Sequence, residues 1–374
     1  MRIGIDARMF GPRVGGGGLG RYVEQLVGQL QTMDQANRFV LFLKPEGARA
    51  FRASGPNFET RIADVHWYTL SEQLFLAKQL DAEGLDLIHF PHWNVPMNIR
   101  TPFVVTIHDL ILLEEPRSSH ATTLNPLWHA IKYAAFKRVL RHALTASRKI
   151  ITVSAYTKSA IKKFFPEIPE EKMVVIYEGV TDLKTPATGY QPPAAPYFLY
   201  VGNAYPHKNL ESLLHAFSFF CRVDPAIQLV LAGRQDAFYD RLRQELEEIG
   251  VPKNRVRFVM NPSDEELADL YRGATLYLFP SRTEGFGLPA LEAMSMGVPV
   301  AASTGGSLPE VLGDAAVYFP PDDIEEMVAV MQKAAGDAAL RKQLSQRGSQ
   351  RIKQFSWKTM AEQTLNVYEE VRHR

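Results

Sequence analysis

Short apolar runs separated by helical stretches recur along the whole chain, and this alternation restricts the fold more than any other feature. In the first half the runs are Arg2 to Asp6, Phe39 to Leu43, Leu85 to Phe90, Phe103 to His108, Ile150 to Ser154 and Met173 to Tyr177. In the second half they are Tyr197 to Gly202, Ile227 to Gly233, Val256 to Met260, Leu276 to Pro280 and Val298 to Ala302. Strands that alternate with amphipathic helices predict an α/β chain whose parallel sheets are covered on both faces. At 374 residues the chain exceeds one domain of roughly 100 to 200 residues. Between the two series, the stretch from Thr185 to Pro196 is dense in proline and small residues and reads as a linker. Residues 1–185 are therefore expected as a first domain, 186–196 as the linker and 197–355 as a second domain. Doubly wound sheets bind ligands beyond the carboxyl ends of their strands, so two such domains facing each other would line a cleft with strand-end loops.

Composition narrows the classes of function. Hydrophobic residues make up 46% of the chain, ample for buried cores, and no apolar run reaches the roughly 18 residues of a membrane-spanning helix. The chain opens directly on a strand-like run without a signal-peptide pattern, so a cytoplasmic location is expected. The net charge is +1, which gives no support to nucleic-acid binding. The first 185 residues carry 23 Lys+Arg against 18 Asp+Glu, and the remainder 19 against 23. Cys221 is the one cysteine, which excludes an intrachain disulfide and any multi-cysteine metal site. It lies in an apolar stretch that suggests simple burial.

The motifs fall at the strand ends. Glu284-Gly285-Phe286-Gly287-Leu288-Pro289-Ala290-Leu291-Glu292 places two carboxylates across a glycine loop that opens into a helix, with Pro289 suited to the first helical position and Glu292 in the first turn. Free amides at a helix start and glycines that admit close approach form an anion site suited to a diphosphate. The flanking acids can accept hydrogen bonds from sugar hydroxyls, or Glu292 can simply favour the helix dipole. Gly15, Gly17 and Gly20 fit G-x-G-x-x-G, which invites a nicotinamide-dinucleotide reading. They begin nine residues after the first strand, and the second strand ends without a ribose-binding acid, so a flexible glycine loop opening the helix Arg21 to Leu30 fits better. His108 follows the strand Phe103 to Ile107 and could bond a sugar hydroxyl or serve as a turn histidine. His89 and His92 lack companions at ligand spacing, so no metal site is assigned. Lys208 follows the strand-end Gly202 and is placed to neutralise a diphosphate leaving group. Between Leu124 and Leu144, Trp128, Lys132, Tyr133, Phe136, Lys137, Arg138 and Arg141 form an amphipathic basic stretch. It could lie on an anionic membrane or be an ordinary surface helix.

Together these pieces resemble the retaining glycosyltransferases of family 4, with the two-domain GT-B fold of Rossmann-like, doubly wound parallel sheets. The resemblance rests on Gly20-Arg21-Tyr22, Ile107-His108-Asp109, Val153-Ser154 with Thr157-Lys158, and Tyr177-Glu178-Gly179-Val180. It continues through Val201-Gly202 with Pro206-His207-Lys208-Asn209 and Pro280 to Met294. Phe355-Ser356-Trp357 resembles the start of the family's last helix, which implies that residues 356–374 cross back to the first domain.

The resemblance implies a nucleotide-sugar donor held mainly by the second domain and an acceptor held mainly by the first. Glu292 would bind the ribose and Glu284 the donor sugar. Amides around Phe286, Gly287 and Leu288 would cradle the diphosphate with Lys208. Gly18 would approach the phosphates on closure, and His108 would bind a hydroxyl of the transferred sugar. Many members place an arginine where this chain has Asn203, so charge neutralisation would rest on Lys208 with help from His207 or another basic residue. The implied reaction is sugar transfer with retention, without metal or cofactor. The leaving phosphate would help deprotonate the acceptor hydroxyl. Likeness to the mannosyltransferase branch points to GDP-mannose, with UDP-glucose or another UDP-sugar as the alternative. The implied acceptor is a growing polysaccharide or a lipid-linked glycan, with peripheral contact at the inner face of the membrane. A nicotinamide-dependent oxidoreductase and a non-catalytic nucleotide-sugar-binding subunit are the competing classes.

Overall fold

The computed structural model describes all residues except 12–13, 15–16, 116–125, 182, 184–191 and 373–374. Gly15 and Gly16 of the glycine loop, and 186–191 of the expected linker, thus lie outside the described residues. Two compact units are present. The first comprises Met1–Leu110, Thr122–Gly179 and Ser356–Arg374, and the second Ile111–Ala121 and Val180–Phe355. The terminal helix Trp357–Arg372 therefore belongs to the first unit, packing on the helix Gly17–Met33.

The first unit is built on seven parallel strands, β1 (Arg2–Asp6), β2 (Arg38–Leu43), β3 (Phe58–Ile62), β4 (Leu87–Phe90), β5 (Phe103–Ile107), β6 (Lys149–Thr152) and β7 (Met173–Val175). Their order is β3-β2-β1-β4-β5-β6-β7. The second holds six, β8 (Tyr197–Val201), β9 (Gln228–Gly233), β10 (Val256–Met260), β11 (Leu276–Phe279), β12 (Val300–Ser303) and β13 (Ala316–Phe319). Their order is β10-β9-β8-β11-β12-β13. Every pairing is parallel, from Ile3 opposite Leu87 in the first unit to Leu276 opposite Phe198 in the second. Both sheets are doubly wound and reverse their order once, between β1 and β4 and between β8 and β11, the points where such sheets open a crevice.

The central strands are mostly apolar because helices cover both faces, and β4, β5, β8 and β11 are buried at every position, the polar His89 and Thr106 included. Two strands escape a search for apolar runs. β3 reads Phe-Glu-Thr-Arg-Ile, with only Phe58 buried, because it is an edge strand. β13 is the short opposite edge of the second sheet.

Several boundaries differ from the sequence expectation. The helix after the glycine loop begins at Gly17, not Arg21, and so absorbs Gly18 and Gly20 into its first turn. The helix after Gly287 begins at Leu288 and ends at Ser295, which moves Glu292 from the first helical turn into the second. Cys221 is half-buried instead of fully enclosed. The basic stretch forms one helix, Pro126–Ala146, with Trp128 and Ile131 exposed. Among the described residues, no helix is long and apolar enough to cross a membrane.

Candidate functional site

In the second unit, the loops after β8 and β11 meet at the switch point. Gly202 ends β8 at φ +156° with its Cα against the Tyr200 hydroxyl, where a Cβ would come within 2.6 Å of that oxygen. The next residue, Asn203, accepts the Tyr200 O–H through its backbone carbonyl at 2.6 Å. The chain then makes one tight turn, Pro206–Lys208, before the helix Leu210–Phe220. Asn209 joins the turn to the helix in the left-handed region at φ +60°, a conformation that asparagine tolerates better than most residues. Its side-chain amide donates to the carbonyls of Pro280 (3.1 Å) and Pro321 (2.6 Å), and the Arg282 amide donates to the His207 carbonyl (2.7 Å). These bonds tie the loops together.

Lys208 and Glu284 meet across this seam. The Lys208 ammonium lies 2.6 Å from Glu284 Oε1. Glu284 is 7% exposed, and Gly306 at φ +64° lies so close that a Cβ would come within 2.3 Å of the Glu284 amide nitrogen. His207 is buried beside them. Burial, and then the Lys208 charge, push its imidazole down to about 2, so it is neutral at physiological pH. The expected help from His207 in neutralising a diphosphate therefore does not arise. Arg282 is the other cation at this seam, and its guanidinium is engaged by Asp322 (2.9 Å) and the Pro206 carbonyl (3.1 Å).

Beyond Glu284 the chain turns into the helix Leu288–Ser295 through Gly287, whose φ of +101° and Cβ space 2.9 Å from Leu308 suit glycine. Phe286 points inward, its ring edge-on to Phe355 at 5.5 Å, so what this segment can offer a ligand is its backbone. Glu292 is buried on the helix and accepts the Tyr271 O–H at 3.3 Å. Burial, then the charges of Glu292 and Glu284, hold the Tyr277 phenol well above its usual value. Both carboxylates thus act on one β11 side chain.

In the first unit, His108 follows β5. Its Nδ1 lies 2.9 Å from Glu178 Oε1 and its Nε2 2.9 Å from the Pro91 carbonyl, so both ring nitrogens face protein oxygens. The Tyr22 ring stands edge-on to the imidazole at 4.8 Å. Thr157 Oγ1 donates to the His108 carbonyl (3.1 Å), while the Thr157 amide donates to the N-cap Ser154 (3.0 Å). Gly18 is exposed in the first turn of the helix that carries Tyr22.

Glu178, Tyr22 and Thr157 drew no individual role from the sequence. The available signal for Glu178 was an acid directly after a strand-like run, but its partner stands seventy positions away. Among the described residues, no group of three or more His, Cys, Asp or Glu side chains is arranged to hold a metal ion.

Known proteins share this organisation. A family model described as Glycosyltransferase Family 4 matches residues 16–182, and one described as Glycosyl transferases group 1 matches residues 190–351. O-antigen chain mannosyltransferase B of Escherichia coli is 30% identical over 292 residues, which cover 75% of this chain and 74% of that protein. Among solved structures, sucrose-phosphate synthase from Thermosynechococcus elongatus superposes with a TM-score of 0.76 at 23% identity, covering 99% of this chain and 98% of its own. Anabaena HepE in complex with UDP and glucose gives a TM-score of 0.74 at 18% identity, covering 99% of this chain and 100% of its own.

Proposed function

Because this chain belongs to glycosyltransferase family 4 and carries its two-domain GT-B fold, we propose that it transfers mannose from GDP-mannose to an acceptor hydroxyl with retention at the anomeric carbon. The observation that carries the reading is the Lys208–Glu284 pair beside the glycine-led helix start at the β8/β11 switch point. A donor bound there takes the Lys208 ammonium onto its diphosphate and leaves Glu284 to accept hydroxyls of the sugar. Amides at Gly287 and Leu288 meet the remaining phosphate oxygens. Glu292, one turn along the helix, holds the ribose, and Asn203 and the neutral His207 shape the loop without adding charge. His108 exchanges the Pro91 carbonyl for a hydroxyl of the transferred sugar, while Glu178 keeps hold of Nδ1.

Chemistry follows from positioning and from stabilising the departing diphosphate. The acceptor hydroxyl attacks from the face that the leaving group vacates and gives its proton to the leaving phosphate oxygen. The protein then supplies neither a covalent nucleophile nor a metal or cofactor. Mannose is favoured by the name of the E. coli relative, whose acceptor class, a growing O-antigen chain, suggests a polysaccharide or lipid-linked acceptor here. Exposed Trp128 and Ile131 on the basic helix Pro126–Ala146 fit peripheral membrane contact on the cytoplasmic side. A UDP-sugar donor is the second reading, favoured by the UDP and glucose bound to the Anabaena structure.

A thermal-shift screen of GDP-mannose, UDP-glucose and NAD(P)H separates these readings. The true donor at 100 times its Kd adds roughly 2.7 kcal/mol of stability. Glu292→Ala should weaken that nucleotide in calorimetry by about tenfold or more, as expected for a lost charged hydrogen bond of roughly 1.5 to 3 kcal/mol. Stabilisation by NAD(P)H alone would overturn the transferase reading, and unchanged affinity in the variant would remove Glu292 from the ribose.

A further inference from the structure

A chain of buried hydrogen bonds leaves the terminal helix Trp357–Arg372 and ends at Tyr22, whose ring stands against His108. Tyr368, His89, Thr106 and Tyr22 are its members, and each is at most 1% exposed. His89 Nδ1 lies 2.6 Å from the Tyr368 hydroxyl and its Nε2 2.8 Å from Thr106 Oγ1. Thr106 Oγ1 lies 3.1 Å from the Tyr22 hydroxyl.

Burial keeps the His89 imidazole neutral, pushed down to about 3, so one ring nitrogen carries the proton and donates while the other accepts. A single His89 tautomer therefore fixes the sense of its bonds to Tyr368 and Thr106.

The chain touches the site at two places. Tyr22 is both a member and the ring that stands against the His108 imidazole. Thr106 lies two residues before His108 on β5. The first residue of the same helix packs beside the segment that holds His108 through Nδ1. Gly179 packs so closely on Trp357 that a Cβ there would come within 2.2 Å of the Trp357 amide nitrogen, and the preceding residue, Glu178, holds His108 Nδ1.

We propose that the terminal helix is a positioning element for His108, with Tyr368 as a positioning residue that acts through the His89–Thr106–Tyr22 chain. The inference rests on the role given to His108 above.

Release of GDP from GDP-mannose, or of UDP from UDP-glucose, tests it, together with nitrogen NMR of the histidine tautomers. Wild type should show His89 as a single neutral tautomer. Tyr368→Phe should mix the tautomers and lower turnover roughly 10- to 100-fold, the scale of a small misplacement at a reacting centre, with nucleotide affinity unchanged. In a His108→Ala background the same change should cost less than about twofold, because coupled residues are not additive. Should Tyr368→Phe fail to fold, Thr106→Val should reproduce its effects and Thr106→Ser, which keeps the hydroxyl, should restore wild-type behaviour. Unchanged turnover in His108→Ala would sink the role of His108 itself. A large loss in His108→Ala alongside wild-type turnover and tautomer in Tyr368→Phe and Thr106→Val would overturn the positioning role alone. So would a Tyr368→Phe effect undiminished by His108→Ala.

Discussion

The two units reverse strand order at equivalent places, yet their switch points are filled in opposite ways. At β1/β4 the crevice holds a closed ionic network. Arg8 donates Nε to Asp6 Oδ1 and Nη2 to Asp6 Oδ2, both at 2.7 Å, and Nη2 also reaches Glu72 Oε1 at 2.5 Å. Glu72 further accepts from Asn94 (2.6 Å) and from the Tyr68 amide (2.9 Å). Arg8 and Glu72 are each 1% exposed, and the cavity beside them is only about 10 Å³, the lower limit for a single water. Burial opposes the Arg8 charge, but Asp6 and then Glu72 hold it protonated above its usual range. Burial likewise pushes the Glu72 carboxyl up against the pull of Arg8. At β8/β11 one lysine meets one glutamate beside a helix start, with the lysine side chain 14% exposed. The same topology therefore holds charge in two ways: a closed set of charges that satisfy one another fills one crevice, and a two-member pair stands at a solvent-reaching seam in the other.

The comparison breaks most readily at Arg8. Arg8→Leu strands two buried carboxylates and should destabilise the first unit by about 3 to 5 kcal/mol, read as a lower urea midpoint. A midpoint near wild type would mean that the network does not hold that crevice together. Lys208→Ala is the matching cut in the second unit, expected to lower turnover roughly 100-fold, as for loss of one transition-state donor. Wild-type turnover would place the diphosphate elsewhere.

Acid should affect both units more gently, through His89 and His207. Their folded values, about 3 and about 2, lie below an unfolded value near ~6.5. The unfolded chain therefore binds protons first, and stability that is present above pH ~6.5 is lost as pH falls from there toward those folded values. The slope is about 1 kcal/mol per pH unit for each histidine. Hydrogen exchange between pH 7 and pH 4, corrected for intrinsic rates, should show faster opening around β4 and around Pro206–Lys208. Protection independent of pH would contradict the burial of those neutral imidazoles.

Legibility followed the range of the signal. Most strands and the glycine-led helix start were readable because apolar runs, strand-end glycines and helix-start residues are local. β3 was not, because an edge strand open to solvent need not be apolar. Glu284, Glu292, Lys208 and His108 could be singled out by position after strands, but their partners could not. Lys208 and Glu284 are seventy-six positions apart, His108 and Glu178 seventy, and His89 and Tyr368 two hundred and seventy-nine. Nor could a neutral His207 be foreseen, since its charge state is set by burial beside Lys208.

By itself the sequence determined two series of parallel strands and strand-end loops rich in glycine and charged residues, because chain-local sterics and burial write those patterns directly. Only the tertiary structure decided which loops meet, which acid holds which base and which crevice is closed by its own charges. Those outcomes depend on strand order, and strand order brings together residues whose sequence separation carries no periodic trace.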